Sequence, residues 1–488
     1  MVFFRQIGVT EFKFSRLLYI PPPYTLKPIF NYHRSNLMKK LLVILLTIIA
    51  SGCTSVLFAG TKLSRQQASD DIDSLVSLIE EVEVNPYMIL PKEKFYAAVR
   101  SAKEGLPADS VSLASHFLTL SRLTGMFQQG HLSLRLPEEL GKKTHRSFPL
   151  ASRLKVNPGT HEVITTADVT IDGDTVRSGS QLLSINGRNV NDMVEDYLTI
   201  ASGETDAYRC SKLSSMFGAY AMCENPAETT FDIEFLSAGR KFTRKLTKSN
   251  FKSLAKKAKR DCKPYSYRML NDSVMLFSFN SCEEDGFDRF AHCMFADALR
   301  DSVSHLIIDV RENGGGNSAT GDEICRFITD RPFEGFGGCK AKVSPRVRKN
   351  YNFFERDTIY EEMVIDETDM KLPYDAKFRF PGKTYLLTST RTYSSASNFA
   401  WEYWKFVPGL IIGEETGGVN ISTGDVISET LPISGISMIV PWKIFYHYGA
   451  KDGDPIHGTI PDIKVPAEKA LDAALEVIAS GGMKVTRN

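Results

Sequence analysis

The chain carries almost no net charge: 59 lysines and arginines face 58 aspartates and glutamates, leaving +1 over 488 residues. That balance excludes a dedicated nucleic-acid binder, which normally shows a basic face and a high pI. No CxxC pair and no cysteine–histidine cluster has the spacing of a zinc site. No GxGxxG loop sits between a strand and a helix, so a dinucleotide fingerprint is missing. Low-complexity tracts and internal repeats are absent as well. What remains is an ordinary globular composition, 42% hydrophobic and 24% charged, with length enough for two or three domains. Nothing in it implies a metal or an organic cofactor.

The apolar run at the N-terminus is short. "MKKLLVILLTIIASGC" (38–53) joins two lysines, a hydrophobic stretch from Leu41 to Ala50, small residues and a cysteine. Roughly 20 residues are needed to span a membrane, and this layout is that of a secretory signal peptide. "ASGC" resembles the lipobox of bacterial lipoproteins. The resemblance implies that Cys53 is lipidated and becomes the first mature residue. It also implies a membrane contact through a lipid anchor in a Gram-negative-type envelope. Thr54 follows where an aspartate would signal inner-membrane retention, which points to the outer membrane. Residues 1–37 fit poorly upstream of such a segment and read as an extension preceding a start at Met38. Seven further cysteines follow (Cys210, Cys223, Cys262, Cys282, Cys293, Cys325, Cys339). Export permits disulfides, but an odd number leaves at least one outside an intrachain bridge.

Residues 64–137 read as helical, with Ile72, Leu75, Leu78 and Ile79 at three- and four-residue spacings. "QQGHLSLRL" ends this region: a glycine breaks the helix, alternation suggests a strand, and His131 falls at the corner. Residues 147–248 read as β-rich, with turn signals such as "DGD" and "NG". Within them "VRSGSQLLSINGRNVNDMVEDYL" looks like the carboxylate-loop and helix region of a PDZ domain, whose groove takes an extended peptide. The basic run 248–263 reads as a solvated linker. From Tyr265 strands and helices alternate, which implies a mostly parallel sheet; the polar stretch 342–370 reads as a long loop interrupting it. Residues 467–488 read as a C-terminal helix and tail.

Three constellations can carry chemistry. "LIIDVRENGGGN" (306–317) runs a hydrophobic strand into three glycines, where backbone amides can approach an oxyanion without Cβ obstruction. "TYSSASNF" (392–399) crowds serines at a strand-to-helix junction, a position suited equally to a nucleophile and to a helix cap. His131 titrates in the range that general-base work requires.

Taken together, "IIDVRENGGG", "SSAS" before an amphipathic helix, "IIGEETGG" and "HGTIPDI" resemble the core of the tail-specific (C-terminal processing) protease and tricorn family of serine peptidases. The resemblance extends from about Ser64 to Val465. It implies an α/β fold: a helical N-terminal region (64–137), a PDZ-like β-rich domain (147–248) and a crotonase/ClpP-like peptidase core (263–466). Carried over by motif, the nucleophile precedes Ala-Ser-Glu and falls on Ser395, with Asn398 in place of the glutamate. The oxyanion donors would be the Ala396 amide and that of Gly314 or Gly315. Processing proteases of the family use a lysine after "GE-T"; here no lysine follows until Lys443. The tricorn-like branch uses a histidine, and "QGHL" retains its Gly-His, which makes His131 the base. The orienting acid falls among Asp452 and Asp454, with Asp454 preferred, although a solvated loop carboxylate is an equal reading.

The implied activity is a serine endopeptidase acting on envelope polypeptides through an acyl-enzyme, with no cofactor. The alternative is a catalytically silent homologue that binds unfolded chain ends. Substrate and oligomeric state are not written in the sequence.

Overall fold

The computed structural model describes residues 62–254, 263–351, 359–365 and 370–481. Cys53 with its signal-like segment, the extension 1–37 and Cys262 lie outside the described residues.

Three helices open the chain: α1 (Arg65–Val82), α2 (Lys92–Glu104) and α3 (Leu113–Gly125). Ser64 begins α1 with a capping box, its hydroxyl accepting from the Gln67 amide while Gln67 returns the bond. The predicted stripe of Ile72, Leu75, Leu78 and Ile79 is buried. After α3 the chain turns through Gln128–Leu132 into a two-residue strand, β1 (Ser133–Leu134).

The region 147–248 contains the expected short strands. The hairpin β2 (Gln181–Ile185) turns at Asn186 and Gly187, both at positive φ. It leads into α4 (Val190–Leu198), which Asn189 caps. The region also contains a 19-residue helix, α5 (Asp206–Glu224), which the β-rich reading did not anticipate. The reason lies in its burial: Leu213 and Phe217 to Cys223 are covered, so no polar face marks a 3.6-residue period.

The C-terminal half is built on a six-stranded sheet. It runs β3 (Tyr265–Asn271), β4 (Val274–Phe279), β5 (His305–Asp309), then Lys383–Thr388, Leu410–Gly413 and Ile463–Lys464. All neighbours after β3 are parallel. Alternate residues point to opposite faces, and both faces are covered. Met275, Phe277, Leu306, Ile308 and Leu386 pack toward three helices, α6 (Phe287–Arg300), α7 (Ala319–Ile328) and α8 (Ser395–Phe406). Leu276, Ile307, Leu387 and Ile412 pack toward α9 (Ala470–Ala479). This is why the strands read as continuous apolar runs rather than alternating ones.

A second, antiparallel sheet pairs Tyr360–Ile365, Phe336–Val343, Ser437–His447 and Ile421–Thr430. The stretch read as a loop, 342–370, therefore contains a helix at Pro345–Asn350 and an edge strand at Tyr360–Ile365. That strand is held by main-chain pairing to Phe336–Val343, and Val364 is 72% exposed, so no buried face announced it. β1 joins the same sheet, with Ser133 opposite Ile439 and Leu134 opposite Met438. One continuous apolar core then spans the N-terminal helices, the 147–248 region and this sheet. None of the six described cysteines forms a disulfide; five are buried.

Candidate active site

The site forms where two adjacent parallel strands end together. Asp309 of β5 lies opposite Leu387, so the loops that follow both strands leave the sheet side by side. The first is the glycine turn. Asn313 organises it: its side-chain amide donates to the Phe279 carbonyl, and its carbonyl oxygen accepts from the Gly315 amide at 2.9 Å. The Gly315 carbonyl receives the Cys282 amide at 3.0 Å. Glycine is required at 315, where φ is +106° and an added Cβ would stand 2.6 Å from the Ser394 Cβ.

The second loop carries the serines and is clamped from below. The Gly417 and Gly418 amides both donate to the Thr392 carbonyl, at 3.0 and 3.1 Å. That close approach accounts for the glycines of "GEETGG". Ser394 then takes φ +53° and ψ −130°, a conformation that L-residues rarely adopt and that costs of order 1–3 kcal/mol. The strained turn delivers the chain directly into α8 and presents the Ser394 side chain at the junction. Ser394 stands at the cap position of α8 but makes no capping bond. Ser397 serves the helix start instead, its hydroxyl donating to the Ser394 carbonyl at 2.7 Å.

The Ser394 Oγ lies 3.2 Å from the His131 Nε2. The two residues are 263 positions apart, and the pairing of β1 with Ser437–His447 is what brings the histidine across. Ser395 points elsewhere: its hydroxyl donates to the Gly316 carbonyl at 2.6 Å. The histidine is thus placed against the serine one position before the one expected from sequence.

The far side of His131 is closed by a tyrosine. The Tyr393 hydroxyl is 3.2 Å from the His131 Nδ1 and 3.1 and 3.2 Å from the two Glu204 carboxylate oxygens. Tyr208 stacks flat on the Tyr393 ring, 4.3 Å between centroids and 2° between planes. Glu204 also accepts the Gly130 amide at 2.9 Å, and Lys212 donates to the Gly130 carbonyl at 3.3 Å. Gly130, next to the histidine, is therefore held at both its amide and its carbonyl. No side chain fits there, since a Cβ would fall 2.0 Å from the Tyr393 hydroxyl. Neither expected acid reaches this site. Asp454 accepts the Lys451 amide in a surface turn, and Asp452 accepts from Lys340 and Tyr446.

Burial, helped by the nearby Lys212 ammonium, lowers the His131 imidazole to about 4, so the ring is neutral at pH 7. Burial and the adjacent Glu204 carboxylate push the Tyr393 phenol well above its ordinary value, which keeps it a donor. Burial also raises Glu204, opposed first by the Gly130 amide.

A cavity of about 480 Å³ opens over Ser394, lined also by His131, Gly316, Phe336, Lys443 and Phe445. Gly316 forms its floor beside the serines; Gly314, Gly315 and Ala396 do not line it. The Gly315 and Ala396 amides are spent internally, on Asn313 and on the Tyr393 carbonyl. Sequence reasoning missed Tyr393, Glu204, Tyr208 and Lys212. Glu204 carries no local signal, whereas Tyr393 directly precedes the serines.

Among solved structures, mature CPAF is similar over 86% of this chain and 99% of its own, at 12% identity and a TM-score of 0.57. Mature CPAF complexed with lactacystin gives 85%, 98%, 12% and 0.54. The photosystem II D1 C-terminal processing protease matches more loosely, over 84% and 97% at 13% identity with a TM-score of 0.42. Residues 274–465 match the sequence model of peptidase family S41. That segment holds the glycine turn, the serine loop and the parallel strands between them, and it carries a peptidase family S41 domain, that of a serine-type peptidase.

Proposed function

We propose that the chain is an endopeptidase whose nucleophile is Ser394 and whose general base is His131. The supporting observation is the 3.2 Å approach of His131 Nε2 to the hydroxyl of a serine held in a strained backbone. With Glu204 ionised, one proton arrangement satisfies the whole chain of contacts. The Nδ1–H of His131 donates to the Tyr393 oxygen, and the Tyr393 O–H donates to Glu204. Nε2 is then left with the lone pair that accepts the Ser394 proton. The serine attacks the peptide carbonyl, and His131 passes its proton to the leaving amine. Water then enters and hydrolyses the acyl-enzyme.

The developing oxyanion would be received by the Ser395 amide, the first of α8 and so without an intrahelical acceptor. The second donor would be the Gly316 amide on the cavity floor. Each such donor is worth about 3–4 kcal/mol of barrier. The substrates are polypeptides, and the region 147–248, read as PDZ-like, would present extended chain to a crotonase/ClpP-like core. A fluorophosphonate probe tests the assignment: the labelled peptide should carry the adduct on Ser394. An adduct on Ser395, or none on well-folded protein, overturns it.

The depressed His131 sets the pH dependence. Activity is lost as the base protonates, so kcat/KM should hold through mild acid and fall through an apparent pKa of about 4. The same sign applies to stability: the unfolded ring binds a proton near 6.5 and the folded ring does not. This contribution is therefore complete above about pH 6.5 and fades as pH falls toward 4. A kcat/KM limb near 6.5 would show that the imidazole is not desolvated in the free enzyme.

We further propose an envelope location with a lipid anchor at Cys53, on the motif "ASGC" alone. Metabolic labelling with a fatty-acid analogue should tag the protein and be lost in Cys53→Ala. Tagging that survives the substitution rules the anchor out.

A further inference from the structure

Away from the catalytic cavity, three potential metal ligands of different chemistry converge on the start of α5. His161 sits in a turn at φ +56°, and its ring meets the helix at Asp206. Asp206 and Cys210 lie one turn apart on the same face of α5. One ligand atom from each, the His161 ring nitrogen, an Asp206 carboxylate oxygen and the Cys210 Sγ, lies within 4.8 Å of the other two. Among the described residues no other such group occurs.

The separations of Asp206 from its two neighbours are close to those around one small ion, and His161 and Cys210 lie within 4.8 Å of each other. Metal–ligand bonds of about 2.0–2.3 Å in a tetrahedron place nitrogen and oxygen ligands about 3.3 Å apart, and oxygen and sulfur about 3.6 Å apart. Here His161 Nε2 is 3.1 Å from Asp206 Oδ1, and Cys210 Sγ is 3.9 Å from both Asp206 oxygens. The other face of the ring is already arranged: Nδ1 is 2.6 Å from the Glu195 carboxylate on α4. A carboxylate on the non-ligating nitrogen is the partner that fixes tautomer and ring angle in metal-bound histidines. The Gly159 amide donates to Asp206 Oδ2 at 3.2 Å, which orients the carboxylate and leaves Oδ1 toward the ring. Arg209 approaches Asp206 to 3.8 Å but donates to the Gly203 carbonyl. The sulfur side is buried while His161 and Asp206 are partly open to solvent, so an ion has a path in and room for a water as fourth ligand.

We propose that His161, Asp206 and Cys210 bind one Zn²⁺, with Glu195 holding the histidine behind it. A thiolate, an imidazole and a carboxylate together select zinc over magnesium or calcium, which prefer oxygen alone. Asp206 lies two residues after Glu204, so the ion would pin the start of the helix that leads to Tyr208 and Lys212 behind the catalytic histidine. Binding itself is independent of the catalytic reading and is measured without turnover.

The test uses the full chain, reduced and stripped of metal. Titration with Zn²⁺ against a chromophoric chelator should show one equivalent bound. Co²⁺ substitution should produce a thiolate-to-metal charge-transfer band in the near ultraviolet. Zn²⁺ at 100 times Kd should raise Tm by about 5 °C. Cys210→Ser should abolish the cobalt band and His161→Ala should remove stoichiometric binding, while Glu195→Gln should weaken affinity about 10–100-fold. No stoichiometric metal on wild-type protein at micromolar Zn²⁺ overturns the proposal. So does binding that survives both Cys210→Ser and His161→Ala; the four side chains are then a plain ion-pair cluster around His161.

Discussion

Replacing Ser394 by alanine is expected to lower kcat by about 10⁴–10⁶-fold with little change in KM, the scale on which catalytic serines act. Replacing Ser395 should cost at most about 10-fold. The asymmetry follows from where the two hydroxyls go. Ser394 Oγ faces the His131 Nε2, the group that would remove its proton. Ser395 Oγ is bonded to the Gly316 carbonyl, and losing one such bond is worth about 1 kcal/mol. Alanine at 395 keeps the amide assigned to the oxyanion, since that donor is backbone. Initial rates on an unfolded polypeptide, with circular dichroism to verify folding, separate the two variants. Equal or reversed losses would place the nucleophile at Ser395 and make the observed rotamers incidental.

The second large effect concerns the phenol–carboxylate pair behind the base. Tyr393→Phe leaves the His131 Nδ1–H without an acceptor in a buried site, and nothing then supports the imidazolium formed in the transition state. A loss of about 10–10²-fold in kcat is expected, at the 1–3 kcal/mol that an unsatisfied buried donor costs. Glu204→Gln should match or exceed it despite being nearly isosteric. With its amide oxygen held by the Gly130 N–H, the new NH₂ group stands about where Oε2 now lies, 3.2 Å from the Tyr393 oxygen. It would donate to that oxygen, turn the phenolic hydrogen toward Nδ1 and move the histidine proton onto Nε2. That is the wrong tautomer for a base, a fault known to cost about 10⁴-fold in a Ser-His-Asp triad. A double variant no worse than either single one would show that the two residues act as one unit. Full activity in Glu204→Gln would break the proposed proton order.

The apolar strands 274–279, 305–309 and 383–388 were legible because burial on both faces leaves continuous hydrophobic runs, and they are core strands in the fold. The three N-terminal helices were legible from their periodic stripes, and the glycine turn from its composition. α5 was not, because its surroundings cover most of its circumference and erase the period. The strand at 360–365 was not, because main-chain pairing leaves no trace in side-chain pattern.

The same division runs through the site. From its residues alone the chain specified a strand-ending serine cluster, a glycine turn beside it and a histidine at a helix–strand corner. Each of these depends on local backbone chemistry. Tertiary structure decided which serine meets the histidine, because one residue at positive φ determines which of two adjacent hydroxyls lies against the imidazole. It also decided what stands behind the histidine. Glu204 lies 189 positions from Tyr393 and His131 lies 263 from Ser394. No local pattern encodes contacts made only when β1 adds to a distant sheet and α5 packs its first turn against the serine loop.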